Sequence, residues 1–401
     1  MRHGGRNTAT GPGLRSRYGG GVLIDSLIIG GLRSYPPEPT EVALAPLSLV
    51  FGPNSAGKST LLSAIPLFQQ TAARPNVLSM SGDLVEGGSF RMAVHRHDDR
   101  LPITLGASWT DGAGSRSISA QFAWDPQLRA AARTRTYGHD RGEAFDLTGP
   151  VPWAGQLGAD TAGPVRADLY ERLDRAYFVG PMRARAERTT FVGTAGRDYI
   201  GPAGEQMAAI LHAEPDLVDG VNDWCERLGL GYRVRMLDPV NQDLLHTAGE
   251  FAVLALEDVR HDPPVLVSSR AVGYGIGQVL PIVVQSLLSR EAMMLIEQPE
   301  VHLHPRLQSA VGDLLIDTAT SGRAQLLVET HSEHLVLRLL RRVREGALAP
   351  QDLAVLYVDL DDAGGAFIRR LEVDEDGELV DGWPGGFFDD RLAEVLPGLG
   401  S

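Results

Sequence analysis

The chain carries 37 lysines and arginines, and all but one are arginine; the single lysine is Lys58. Arginine does not substitute freely where a compact ammonium is needed, because the guanidinium is larger and planar. Lys58 lies in Gly52-Pro53-Asn54-Ser55-Ala56-Gly57-Lys58-Ser59-Thr60, which matches GxxxxGK[ST]. In such a loop the glycines let backbone N–H groups turn inward and cradle a β-phosphate at a helix N-terminus. The pattern puts the Lys58 charge between β- and γ-phosphates and offers the Ser59 hydroxyl to Mg²⁺. Residues Gly52 to Thr60 are therefore the candidate nucleotide contacts, with ATP and Mg²⁺ as the expected cofactors.

A phosphate loop also needs a carboxylate for the metal. Ala292-Met-Met-Leu-Ile296 is an apolar strand that ends at Glu297, and it runs into Gln298-Pro299-Glu300-Val301-His302-Leu303-His304-Pro305. A second apolar strand, Gln325 to Glu329, is followed by Thr330-His331-Ser332. Gly273-Tyr-Gly275-Ile-Gly277-Gln278 opens an apolar helix running to Leu288, a Gly-rich start whose free N–H groups could meet phosphate.

These segments resemble ABC-type ATPases, whose metal strand ends in Asp-Glu-Pro and enters a D-loop. They resemble more closely the AAA-family ATPase domains of OLD (overcoming lysogenization defect) nucleases and of RecF-like and SMC-like repair proteins, which carry Glu-Pro-Glu-x-His-Leu-His-Pro here. The resemblance implies that Glu297 holds Mg²⁺, that His302 to His304 form the D-loop, and that His331 is the switch histidine at the γ-phosphate. It also implies that Gly275, Gly277 and Gln278 belong to a signature segment that caps the γ-phosphate from an opposite protomer. Relatives carry a serine where Gly277 stands.

One departure bears on turnover. In ABC-type sites the residue after the metal ligand is the catalytic base, and here it is Gln298. An amide cannot take a proton from water; it can only orient the water. Glu300 is the nearest alternative base. The expectation is an ATPase with slow hydrolysis, dimeric on ATP binding.

The elements that must position these groups can be read coarsely. Leu47–Phe51 is a buried strand before the loop, and a helix follows from Thr60. Residues 1–20 hold four arginines, no acid and no apolar core, so they read as a disordered tail rather than a secretory signal. Residues 21–110 form the first part of the ATPase core, with antiparallel strands at Gly21–Ile29, Arg91–Val94 and Pro102–Trp109. Residues 111–175, rich in Ala, Gly and Arg with weak periodicity, read as a compact insertion. Residues 176–345 complete the core, with a strand at Ala176–Val179, helices near Glu205–His212 and Pro215–Leu228, and strands near Tyr232–Met236 and Phe251–Leu256. Residues 346–401 add strands at Leu353–Val358 and Ala366–Leu371 as a C-terminal extension. The expected fold is α/β: a P-loop NTPase of ABC type, with a mixed central sheet and an antiparallel N-terminal sheet.

The stretch Gly382-Trp383-Pro384-Gly385-Gly386-Phe387-Phe388, with Phe178-Val-Gly180-Pro181-Met-Arg183, resembles a group of uncharacterised ATPases ending in Trp-Pro-x-Gly-Phe-Phe. Members of the wider group sit beside partner genes in phage-defence loci, which implies an effector protein in trans. The aromatic stretch itself reads as a buried anchor.

Rival chemistries also have candidate residues. His302, His304, His331 and His334 could hold a metal, but two histidines at i, i+2 do not converge as i, i+4 on a helix would. Glu329 with Asp359-Leu-Asp361-Asp362 is reminiscent of a Toprim nuclease site, yet no glycine follows Glu329 and the remaining chain is short for an added domain. Arg338-Leu-Leu-Arg341-Arg342-Val-Arg344, extended by Arg183, Arg185 and Arg188, keeps DNA as a candidate partner. The net charge of −14 disfavours nucleic-acid binding by bulk charge. One cysteine excludes a disulfide framework, and no apolar run is long enough for a membrane span, so a cytoplasmic location is expected.

Overall fold

The computed structural model describes residues 23–72, 76–82, 84–149, 162–183, 189–191, 198–237 and 251–384. The chain builds three sheets. The first is antiparallel and six-stranded, in the order β2 (Thr40–Ala43), β1 (Ser26–Gly30), β4 (Ile103–Asp111), β5 (Gly114–Asp125), β6 (Ala130–Asp140), β7 (Glu143–Thr148). The second is central and mixed: β16 (Ala366–Leu371), β15 (Leu353–Leu360), β3 (Leu47–Phe51), β14 (Ala324–Glu329), β13 (Ala292–Glu297), β8 (Ala176–Val179). From β15 to β8 all pairs are parallel, and only β16 runs antiparallel. The third is a small antiparallel sheet of β10 (Tyr232–Leu237), β11 (Phe251–Asp258), β12 (Val265–Ser268) and β9 (Thr189–Phe191).

The central strands were the legible ones because a parallel sheet covered on both faces needs apolar side chains at every position. Odd and even residues of each strand enter different cores. Val50, Leu295 and Leu327 pack towards the antiparallel sheet, helix α1 (Lys58–Ala72) and helix α3 (Gly163–Leu173). Leu49, Phe51, Ile296 and Val328 pack on the other face. There they meet the buried residues of α4 (Met207–Ala213), α5 (Pro215–Arg227), α6 (Tyr274–Leu288), α7 (Pro305–Thr320) and α8 (Glu333–Arg344).

One expectation differs from the structure. Residues 91–94, expected as strand, form most of a one-turn helix α2 (Phe90–Ala93), started by Ser89, whose hydroxyl accepts the Met92 N–H. In the described part of residues 111–175, β5, β6 and β7 extend the antiparallel sheet outward from β4, and helix α3 follows. Helix α3 is tied to that sheet by Asp168, which accepts from Trp109 Nε1 at 2.7 Å and from Arg116 Nη1 at 2.7 Å.

At the far end of the described chain, Trp383 packs edge-on to Phe51 with ring centroids 6.2 Å apart. It anchors the C-terminal segment beside the strand that carries the phosphate loop. Gly385 to Phe388 lie outside the described residues, as do residues 1–20, Arg185 and Arg188. Among the described residues, no helix is long and apolar enough to cross a membrane.

Candidate functional site

The loop after β3 and the start of α1 enclose one side of a cavity of about 400 Å³. Two glycines make the loop possible. Gly52 has φ +143°, and a Cβ there would lie 2.0 Å from the Val358 carbonyl oxygen of β15. Gly57 has φ +111°, and its Cβ would lie 2.6 Å from Ser34 Oγ. Ser55, with φ +62°, turns the tip through the left-handed region that L-residues seldom occupy. Lys58 is nearly fully buried, and its Nζ donates to the carbonyls of Gly52 at 3.1 Å and Pro53 at 2.6 Å. Burial lowers its pKa, and the nearby Glu329 carboxylate partly offsets that.

The cavity brings together Asn54, Ser55, Gly57, Lys58, Ser59, Thr60, Gln298 and His331, all expected from the sequence. Ala56 is buried behind the loop. The cavity adds Arg33, Ser34 and Glu329, which sequence reasoning did not place there. Arg33 and Ser34 sit just after β1, a strand remote in sequence from the loop. Glu329 closes β14, and its Oε1 accepts the Ser59 hydroxyl at 3.0 Å.

Glu297 ends β13 in parallel register with Glu329. Burial raises its pKa to about 7, and the Glu329 charge pushes the same way. Its side chain is not among those lining the cavity. Gln298, the next residue, does line it and holds φ +44°, with its N–H bound to the Glu329 carbonyl at 2.8 Å. Glu300, expected as a substitute base, is used otherwise. Its carboxylate accepts the Thr330 hydroxyl at 2.8 Å and the His331 backbone N–H at 2.6 Å, so it braces the loop that presents His331. Burial lowers the pKa of His331, and the Lys58 charge lowers it further, which favours the neutral ring.

Ser59, Glu297 and Glu329 offer hard oxygen donors, the chemistry Mg²⁺ prefers when substrate phosphates and waters complete its shell. Among the described residues no three His, Cys, Asp or Glu side chains converge as a metal cage, which tells against the four-histidine alternative.

The signature segment sits elsewhere. Gly275 and Gly277 fall in the first turn of α6, whose N-cap Gly273 provides no side-chain bond. Gly273, Gly275, Ile276, His302, Leu303 and His304 line a second cavity of about 410 Å³, and none of them lines the first. Tyr274 and His302 join the two segments, with ring centroids 5.5 Å apart. Gln278, expected as a nucleotide contact, is instead buried and donates to the Arg183 carbonyl at 3.0 Å. It begins the run of buried residues, Gln278 to Ser286, that seats α6 in the interior.

Arg183 itself is buried, so it does not extend a basic surface. Its guanidinium donates to the carbonyls of Gln278 at 3.3 Å, Glu297 at 2.5 Å and Gln298 at 3.1 Å. Burial lowers its pKa to about 10. The arginines of α8 are also engaged: Arg338 and Arg342 pair with Asp313 of α7, Arg341 with Glu345, and Arg344 with Glu378.

With this geometry in place, the comparisons can be read. The fold of the chain is similar to that of an SMC head solved bound to the C-winged helix domain of ScpA, at TM-score 0.52 and 15% identity, covering 88% of this chain and 98% of that one. The fold is that of an SMC head domain. An SMC head domain from Thermotoga maritima aligns at TM-score 0.46 and 12% identity, over 87% of this chain and 99% of that one. A Pyrococcus furiosus SMC head with an extended coiled coil, bound to the C-terminal domain of ScpA, aligns at TM-score 0.48 and 13% identity, over 87% and 96%. Residues 240–338 match a family model described as "AAA domain, putative AbiEii toxin, Type IV TA system". That span holds Glu297, the D-loop and His331. No curated protein matches the chain in sequence.

Proposed function

We propose that the chain binds Mg-ATP in the Lys58 cavity, hydrolyses it slowly, and works as an ATP-dependent homodimeric switch on a partner effector. The observation that carries this reading is the separation of the two cavities. The phosphate loop, Gln298 and His331 line one; the signature helix start and the D-loop line the other. The N–H groups at the start of α6 thus have an anion to meet only when the triphosphate of a second copy faces them.

Within the first cavity the roles follow from position. Lys58 and the loop amides bind the phosphates. Ser59 and the strand-end carboxylates would hold Mg²⁺, which neutralises phosphate charge when bound. Neutral His331, held by Glu300, offers a hydrogen bond to the γ-phosphate. Gln298 orients water without removing its proton, so turnover is slow; loss of a general base typically costs roughly 10²–10⁴-fold. The effector and a place in phage defence are supported by the family resemblance and by the toxin–antitoxin description of the matching family model.

Calorimetry with ATP tests the binding step. Wild-type protein should bind ATP, Lys58→Ala should show no measurable binding with an unchanged melting temperature, and Lys58→Arg should bind at least tenfold more weakly. Unchanged affinity in both variants would refute the assignment.

A further inference from the structure

Glu329 is the one carboxylate among the described residues lining the phosphate cavity. Its Oε1 accepts the Ser59 hydroxyl at 3.0 Å, across 270 positions of sequence. Its Oε2 is buried without a hydrogen bond of good geometry, although the Gln298 side chain interacts with the carboxylate. A buried carboxylate oxygen without a donor costs free energy, so such a group marks a place where a further ligand is expected. The backbone around it is held on both sides. The Glu329 carbonyl accepts from Gln298 N at 2.8 Å, and Thr330 N donates to the Val50 carbonyl at 2.9 Å. The backbone that carries the side chain is therefore fixed in the central sheet.

We propose that Glu329 is a second carboxylate of the magnesium site, acting with Ser59 and beside Glu297. This rests on the reading of the cavity as an Mg-ATP site. The geometry favours Glu329 over a merely structural acid for two reasons. It contacts the hydroxyl that a phosphate-loop cation requires, and it lines the cavity where Glu297 does not. Lys58, whose charge faces it, balances one carboxylate.

The test separates the cation from the nucleotide. ATP affinity is measured by calorimetry with EDTA and with Mg²⁺, and Mn²⁺ uptake by the protein–ATP complex is followed by electron paramagnetic resonance. In Glu329→Gln the gain in ATP affinity on adding Mg²⁺ should fall at least tenfold, in the range of roughly 10–100-fold that supporting groups contribute to metal affinity. Mn²⁺ affinity should fall in step. Affinity in EDTA should be unchanged or higher, because one negative charge facing the phosphates is gone. Glu329→Asp keeps the charge but shortens its reach to Ser59, so it should weaken Mn²⁺ less than Glu329→Gln; it also serves if the glutamine variant misfolds. A wild-type Mg²⁺ gain and Mn²⁺ affinity in both variants would overturn the proposal, leaving the ATP site intact. Equal loss in EDTA and Mg²⁺ would reduce Glu329 to a structural role. Failure of the wild type to bind ATP both in EDTA and with Mg²⁺ would overturn the cavity reading itself.

Discussion

At the scale of residues, the phosphate loop depends on atoms that cannot be exchanged. Gly52→Ala would drive a methyl group onto the Val358 carbonyl, 2.0 Å away. It should destabilise the chain by about 2–3 kcal/mol and weaken ATP binding, read by thermal melting and calorimetry. Gln298→Glu should raise the single-turnover hydrolysis rate by at least tenfold, since it restores a base at a position that lines the cavity. The same change places a third acid beside Glu297 and Glu329, so it should also lower the melting temperature in EDTA and recover it in Mg²⁺. A wild-type rate of several per second that Gln298→Glu leaves unaltered would place the base elsewhere. Cys225 supplies a probe of the fold. Burial pushes its thiol up to about 12, so at pH 8 roughly 10⁻⁴ of it is thiolate. Thiol reagents should label it only as the chain unfolds, and fast labelling of native protein would contradict that packing. The loop and His331 could be brought to one cavity from the sequence because their patterns are local. Glu329 could not be, since its role lies in a contact with Ser59 that no local spacing encodes. Its position two residues before His331 was the available signal.

At the scale of elements, apolar runs that allow burial on both faces, such as Leu47–Phe51 and Gln325–Glu329, announced the central sheet. Residues 111–148 were harder. Their strands mix Ala, Gly, Ser and Arg, and β6 and β7 expose much of their length, so little apolar alternation remains to be read. Helix α8 was legible by contrast. Ser332 accepts the Leu335 N–H at 3.1 Å, and Leu335, Val336, Leu339, Leu340 and Val343 form one buried stripe. Ser332→Ala should cost about 1 kcal/mol in a denaturant titration, and no measurable loss would mean that the cap contributes nothing. Arg183 links α6 to the end of β13 through three carbonyls, a role hidden in a loop arginine whose surroundings only the fold supplies. Arg183→Met should cost about 3 kcal/mol, because it leaves those carbonyls without their donor. An unchanged melting temperature would show that the clamp carries no stability.

At the scale of the whole molecule, the central question is whether two copies close on ATP. In the proposed switch the two cavities of one chain serve as complementary halves: Lys58 and the phosphate loop line the first, and the start of α6 with His302, His304 and Arg306 lines the second. The paired arginines of α8 offer no unopposed basic strip, so closure need not involve nucleic acid. Light scattering coupled to size exclusion measures the outcome directly, on wild-type protein with and without Mg-ATP and on Lys58→Ala with Mg-ATP. The predicted result is a mass that doubles only for the wild type with nucleotide. A mass that stays monomeric in Mg-ATP, or a dimer that forms equally without nucleotide and in Lys58→Ala, would contradict the switch.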